Sequence, residues 1–172
     1  MKRVIFLFLV SIISIIPAAA QETDSLQNKF THACIDSLSS RLNKLQHDYD
    51  YLHCRYELKI IMLELDRFTN SLNISSNGIL IDRYHRNFNI DLYISFLNKY
   101  DAYTKLFNSL KESVSQVKTL VAHMCITSNF SNKEEEYLSH SSSTLDKSIT
   151  AAESSLNYYK VVLDNYKNKL YR

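Results

Sequence analysis

The sequence predicts an all-α fold, an elongated antiparallel up-down-up three-helix bundle with coiled-coil-like heptad packing. Three observations predict it. Beyond residue 20 the 172-residue chain holds one glycine, Gly78, and no proline, where average usage would supply roughly 11 and 8. Glycine provides the positive φ of tight turns and proline pre-sets turns and blocks helices, so a chain almost without both makes few turns. Apolar residues recur at alternating spacings of 3 and 4 over several heptads, the period of knobs-into-holes packing. Two capping-box patterns, Asp24 with Gln27 and Ser131 with Glu134, stand where helices are expected to start.

Residues 1–20 have the order of a secretory signal. Met1, Lys2 and Arg3 form a basic start, and Val4 to Ile16 is an apolar run. Pro17 ends the run, and Ala18, Ala19 and Ala20 offer an A-x-A cleavage site. The run is shorter than the roughly 20 residues of a membrane span. Cleavage would leave 21–172 as a single helical-bundle domain. It would also remove two of the 20 Lys and Arg residues, leaving 18 against 18 Asp and Glu. A neutral chain with scattered basic residues lacks the positive surplus that binding phosphates requires. Nucleic acid is therefore not an expected partner, and no later segment is apolar enough to span a membrane. The segment has a bacterial form, so the expected location is exported, periplasmic or extracellular.

The first helix is expected over about 24–72. Its seam runs Ile35, Leu38, Leu42, Leu45, Tyr49, Leu52 and Tyr56. Beyond Tyr56 the apolar positions rotate to another face, Leu58, Ile61, Leu65, Phe68 and Leu72, with Ile60, Met62 and Leu63 filling much of the circumference. A helix apolar on several sides is contacted from several sides. An Asn-rich connector follows, with the chain reversal expected near Gly78.

The second helix, about 91–127, carries the cleanest seam: Tyr93, Phe96, Tyr100, Tyr103, Phe107, Leu110, Val114, Val117, Val121 and Met124. The third, about 132–171, runs Leu138, Ser142, Leu145, Ile149, Ala152, Leu156, Tyr159, Leu163, Tyr166 and Leu170. Its serine cluster, Ser139 and Ser141 to Ser143, either breaks the helix or lets neighbours approach closely. A reversal at Gly78 sets Leu42 near Val117, Leu52 near Phe107 and Tyr56 near Tyr103. A reversal near Asn129 sets Phe107 near Ala151 and Tyr100 near Tyr158.

The Gly78 reversal also brings Cys34 level with Cys125, which makes them the candidate disulfide. Cys34 and Cys54 lie twenty residues apart on one helix, roughly 30 Å, too far to bridge.

Catalytic chemistry has little to stand on. There is no glycine-rich phosphate loop and no strained nucleophile turn. His47, Asp50 and Cys54 share a helix face but lack the further ligands of a zinc site. No cofactor or metal is expected. Two surfaces remain as candidate sites. One is the polar tip Arg83, Tyr84, His85 and Arg86, as a partner-binding end. The other is a groove along Tyr93, Tyr100, Tyr103 and Tyr159, since tyrosine is enriched at interfaces.

The expected function is that of an exported, non-enzymatic bundle acting by helix-mediated protein–protein contact, as a cell-envelope subunit or adaptor, alone or as a homo-oligomer. The alternative is a periplasmic or extracellular binding or chaperone-like protein that holds a ligand or client in the tyrosine groove.

Overall fold

The computed structural model describes residues 24–84 and 89–170, and the surroundings of side chains over 30–81 and 89–170. The signal segment 1–20 lies outside the described residues. Three helices account for the fold: α1 (Asp24–Tyr84), α2 (Ile90–Thr127) and α3 (Asn132–Leu170). They pack as an all-α three-helix bundle. Contacts divide the chain into two units at the Lys44–Leu45 boundary. The first contributes the N-terminal part of α1. The second holds the rest of α1 with α2 and α3.

The core of the second unit begins on α1 at Cys54 and continues through Leu58, Ile61, Leu65, Phe68, Leu72 and Ile79. Its spacing is that of the rotated seam, extended at both ends. On α2 the buried positions are Phe96, Phe107, Leu110, Val114, Val117 and Val121, all members of the sequence-derived seam. On α3 they are Leu138, Ser141, Leu145, Ala152, Leu156, Tyr159, Val162, Leu163 and Tyr166. The serine cluster leaves α3 unbroken, and Ser141 is buried. Helical hydroxyls elsewhere look after themselves. Thr104, Thr119, Thr127, Thr144, Thr150 and Ser154 each donate to the carbonyl four residues earlier, the local bond that hydroxyl side chains make inside helices.

Gly78 does not turn the chain. It sits inside α1 and has no positive φ. A helix-interior glycine costs roughly 1 kcal/mol against alanine, and the burial of its neighbours Leu72 and Ile79 outweighs that cost. The first helix therefore ends at Tyr84 and not near residue 72. The next described helix opens at Asn89, whose Oδ1 accepts from the Asp91 N–H at 2.8 Å in an extended N-cap conformation.

Moving the reversal changes every α1–α2 pairing. Phe107 stacks on Phe68, 5.7 Å between ring centroids, not on Leu52. The Tyr103 ring packs edge-on against Phe68 at 6.0 Å, and its hydroxyl lies 2.8 Å from Ser75 Oγ; Tyr56 is not its partner. Leu42, expected beside Val117, belongs to the first unit and is exposed.

The α2–α3 register follows the turn expected near Asn129. That residue takes φ 46°, a left-handed conformation that asparagine tolerates. Ser128 N–H closes α2 on the Met124 carbonyl at 2.9 Å. Ser131 and Glu134 then form the capping pair, with both the N–H and the hydroxyl of Ser131 donating to Glu134 Oε2 at 2.8 and 2.7 Å. Lys118 reaches Asp146 at 2.8 Å, and Tyr100 stacks on Tyr159 at 6.1 Å.

Candidate functional site

The first heptad seam of α1 stands outside the core. In the first unit Ile35, Leu38 and Leu42 are exposed, Leu38 by 64%. In the second unit Leu45, Tyr49, Leu52 and Tyr56 are exposed by 56–66%. Two apolar faces thus share one helix. The change occurs around Tyr51 to Cys54, where the period continues on the side turned toward α2 and α3. Knobs-into-holes spacing identifies a face that packs, but it does not say which of two such faces packs within the chain.

Within the second unit the exposed seam borders an open groove of about 550 Å³. Tyr49, Leu52, Tyr56 and Met62 of α1 line it with Tyr137 of α3, and Arg55 and Lys59 supply positive charge. Its edges are ordered by ring contacts. The Arg55 guanidinium lies 4.8 Å above the Tyr137 ring and 5.5 Å above Tyr51, within cation–π range. Tyr49 stacks on His53 at 5.9 Å.

Next to this groove, α1 is fastened to the α2–α3 turn. His47 Nε2 is 3.4 Å from Glu134 Oε2, and its Nδ1 is 3.5 Å from Asp48. Phe130 fills the gap, edge-on to His47 at 5.5 Å and to Tyr51 at 5.8 Å. Ser128 donates to Asp50 Oδ2 at 2.8 Å, and Gln46 to Asp50 Oδ1 at 2.7 Å. Bonds from Ser131, its hydroxyl first and its N–H second, hold the Glu134 carboxyl below its ordinary pKa, with His47 adding to the effect. His47, Asp50 and Cys54 do share one face, as their spacing implies. That face meets other side chains, and among the described residues no three His, Cys, Asp or Glu groups converge as metal ligands.

The three cysteines are free thiols. Cys34 is exposed in the first unit. In the second unit Cys54 belongs to the core and Cys125 packs against it. Burial first, then the Cys125 charge and then Asp50, push the Cys54 thiol up to about 11. Burial and Glu135 raise Cys125.

The four tyrosines of the expected groove occupy the α2–α3 interface. Tyr93 stacks on Tyr166 at 6.5 Å and Tyr100 on Tyr159, while Tyr103 meets Tyr159 edge-on at 5.7 Å. The Tyr159 hydroxyl donates to the Phe96 carbonyl at 3.1 Å, and Tyr166 accepts from the Asn89 N–H at 3.1 Å. Burial pushes the Tyr159 phenol up to about 12. The rings pack against one another, and Tyr103 also lines an open groove with Phe68, Ser71 and Leu106. Of the exposed tyrosines among the described residues, Tyr49, Tyr56 and Tyr137 stand along the α1 groove, and Tyr158 lies elsewhere on α3. Of the polar tip, Arg83 and Tyr84 belong to the last turn of α1, while His85 and Arg86 lie outside the described residues. Among the described residues no helix is long and apolar enough to cross a membrane. No family model, curated protein or solved structure matches the chain.

Proposed function

We propose that the chain is an exported, non-enzymatic bundle that acts by helix-mediated protein–protein contact, as a subunit or adaptor of the cell envelope. One observation carries the reading: the first seam of α1 has heptad spacing and is exposed throughout, from Ile35 to Leu42 in the first unit and from Leu45 to Tyr56 in the second. Single exposed apolar residues are ordinary, but an aligned set of them marks an interaction surface. The heptad period specifies the geometry of the occupant, another helix whose side chains enter holes between these residues. The basic start, apolar run and A-x-A site of residues 1–20 support export, and the balanced charge of the remainder favours contact through packing over contact through charge.

Site-specific photocrosslinking in the intact envelope tests the reading. A photoreactive residue at Leu38 or Leu52 is expected to give a discrete crosslinked protein band, and one at exposed Lys105 on α2 is not. Equal or absent crosslinking at all three positions, with a monodisperse monomer by light scattering, would remove the proposal.

A further inference from the structure

We infer that Cys54 and Cys125 are a disulfide pair that joins α1 to α2 when the protein meets an oxidising thiol–disulfide buffer. The geometry rests on register. Asp50 and Ser128 are hydrogen-bonded across α1 and α2 at 2.8 Å. Cys54 lies one turn further along α1, and Cys125 lies nearly one turn back along antiparallel α2, so the two cysteines stand at one level. Tyr103 with Ser75 shows the same register further down the bundle. Cys54 belongs to the core and Cys125 packs against it, so both side chains turn into the same interface. The Cys125 thiolate lies close enough to raise the cost of ionising Cys54. The charged groups acting on the pair are Asp50 on α1 and Glu135 on α3. Cys34 belongs to the other unit and is exposed.

The chemistry needs an external disulfide, such as oxidised glutathione, and accessibility sets its order. Cys125 is half-buried and Cys54 fully buried. The Cys125 thiolate attacks the external S–S bond. A mixed disulfide forms, and one reagent thiolate leaves and takes up a proton. The Cys54 thiolate then attacks Cys125 Sγ, the bond to the reagent breaks, and the second reagent thiol departs. Two cysteine thiols are oxidised and one external disulfide is reduced to two thiols. The bond draws the two Cα atoms within about 7 Å and closes the chain between residues 54 and 125 into a loop. A loop of this length restricts the unfolded chain strongly.

The pair is independent of the proposed surface role, since the test uses purified protein and a small oxidant. The full chain is equilibrated in oxidised and reduced glutathione, alkylated, and mapped by mass spectrometry without reduction. The expected product joins the peptides of Cys54 and Cys125, lighter by two hydrogens, with Cys34 alkylated. The Cys34→Ser chain gives the same product, and oxidation raises its melting temperature by several degrees. Cys125→Ser, at a half-buried position, is expected to melt close to the reduced parent and to lose that rise. Three alkylated thiols after oxidation, a bond that includes Cys34, or an unchanged rise in Cys125→Ser would overturn the assignment.

Discussion

The hydroxyl of Ser128, at the end of α2, donates to the Asp50 carboxylate in the middle of α1 across 2.8 Å. Together with the His47–Glu134 contact and the Phe130 ring, this bond sets the level at which the α2–α3 turn meets α1. Gln46 holds the other carboxylate oxygen, so Asp50 is oriented from two sides. Replacing Ser128 with Ala removes a hydrogen bond to a charged group, whose typical net value is about 1.5–3 kcal/mol. Partial exposure places the expected loss at the low end. Chemical denaturation of Ser128→Ala and of Asp50→Asn checks it. The double variant is expected to lose less than the two single losses added together.

The two faces of α1 separate by substitution. Leu65 is fully buried, and Leu65→Ala is expected to cost about 2–5 kcal/mol, in the range of core leucine truncations. Leu52 is mostly exposed, and Leu52→Ala is expected to stay within about 0.5 kcal/mol of the parent. Equal losses at the two positions would mean that the exposed seam packs within the chain.

Gly78 and Ser76 give the opposite sign. A Cβ at Gly78 meets nothing within 4 Å, and the residue is helical. Gly78→Ala is expected to stabilise by about 0.5–1 kcal/mol, a rise of roughly 1–4 °C in melting temperature for a chain of this size. Ser76 is buried with an unpartnered hydroxyl. Ser76→Ala removes that unsatisfied group and is expected to stabilise the fold or leave it unchanged. Thermal melts of both variants provide the measurement.

The cap at the start of α3 carries a pH signature. The Glu134 carboxyl is held below its ordinary pKa in the folded state, so the unfolded chain takes up its proton first as pH falls. Its contribution is complete above the ordinary carboxylate range and is lost as pH drops through the folded value. Ser131→Ala, which removes the larger of the two bonds, is expected to cost about 1 kcal/mol at neutral pH. That difference should shrink below about pH 4. Urea melts across pH show whether the two curves converge on the acid side.

The buried faces of α2 and α3 were legible because each helix carries one seam and one seam is one answer. All six buried residues of α2 and most of those of α3 lie on the alternating seam, with Ser141 and Val162 buried beside it and Tyr100, Tyr103 and Ile149 half-buried on it. The start of α3 was legible because Ser131 and Glu134 make a local bond that needs no tertiary partner. The seam of α1 was half legible. Tyr49 and Leu65 both obey the heptad period, and periodicity is blind to which face a distant helix will choose. Gly78 misled for a related reason. Its backbone freedom permits a turn without requiring one, and burial of Ile79 and Leu72 decides for helix. Moving the reversal by about ten residues displaces its partners by twice as many, the separation between Cys34 and Cys54. Cys125 therefore stands at the level of Cys54, one turn from the Asp50–Ser128 bond. The clamp of His47, Asp50, Ser128 and Glu134 joins residues far apart in sequence. Its sequence traces are the shared face of His47, Asp50 and Cys54 and the capping box that places Glu134, and neither tells that the two meet.

The tyrosine ladder between α2 and α3 gives the molecule an optical property. The chain contains no tryptophan, so tyrosine alone provides its long-wavelength aromatic absorption. Tyr100 and Tyr159 lie nearly parallel, 8° apart, and Tyr93 and Tyr166 differ by 5°. Rings locked in one chiral arrangement couple their transitions, while exposed rings average theirs away. The near-ultraviolet circular dichroism of this protein is thus a built-in gauge of one interface. It reports the docking of α3 on α2 without any label.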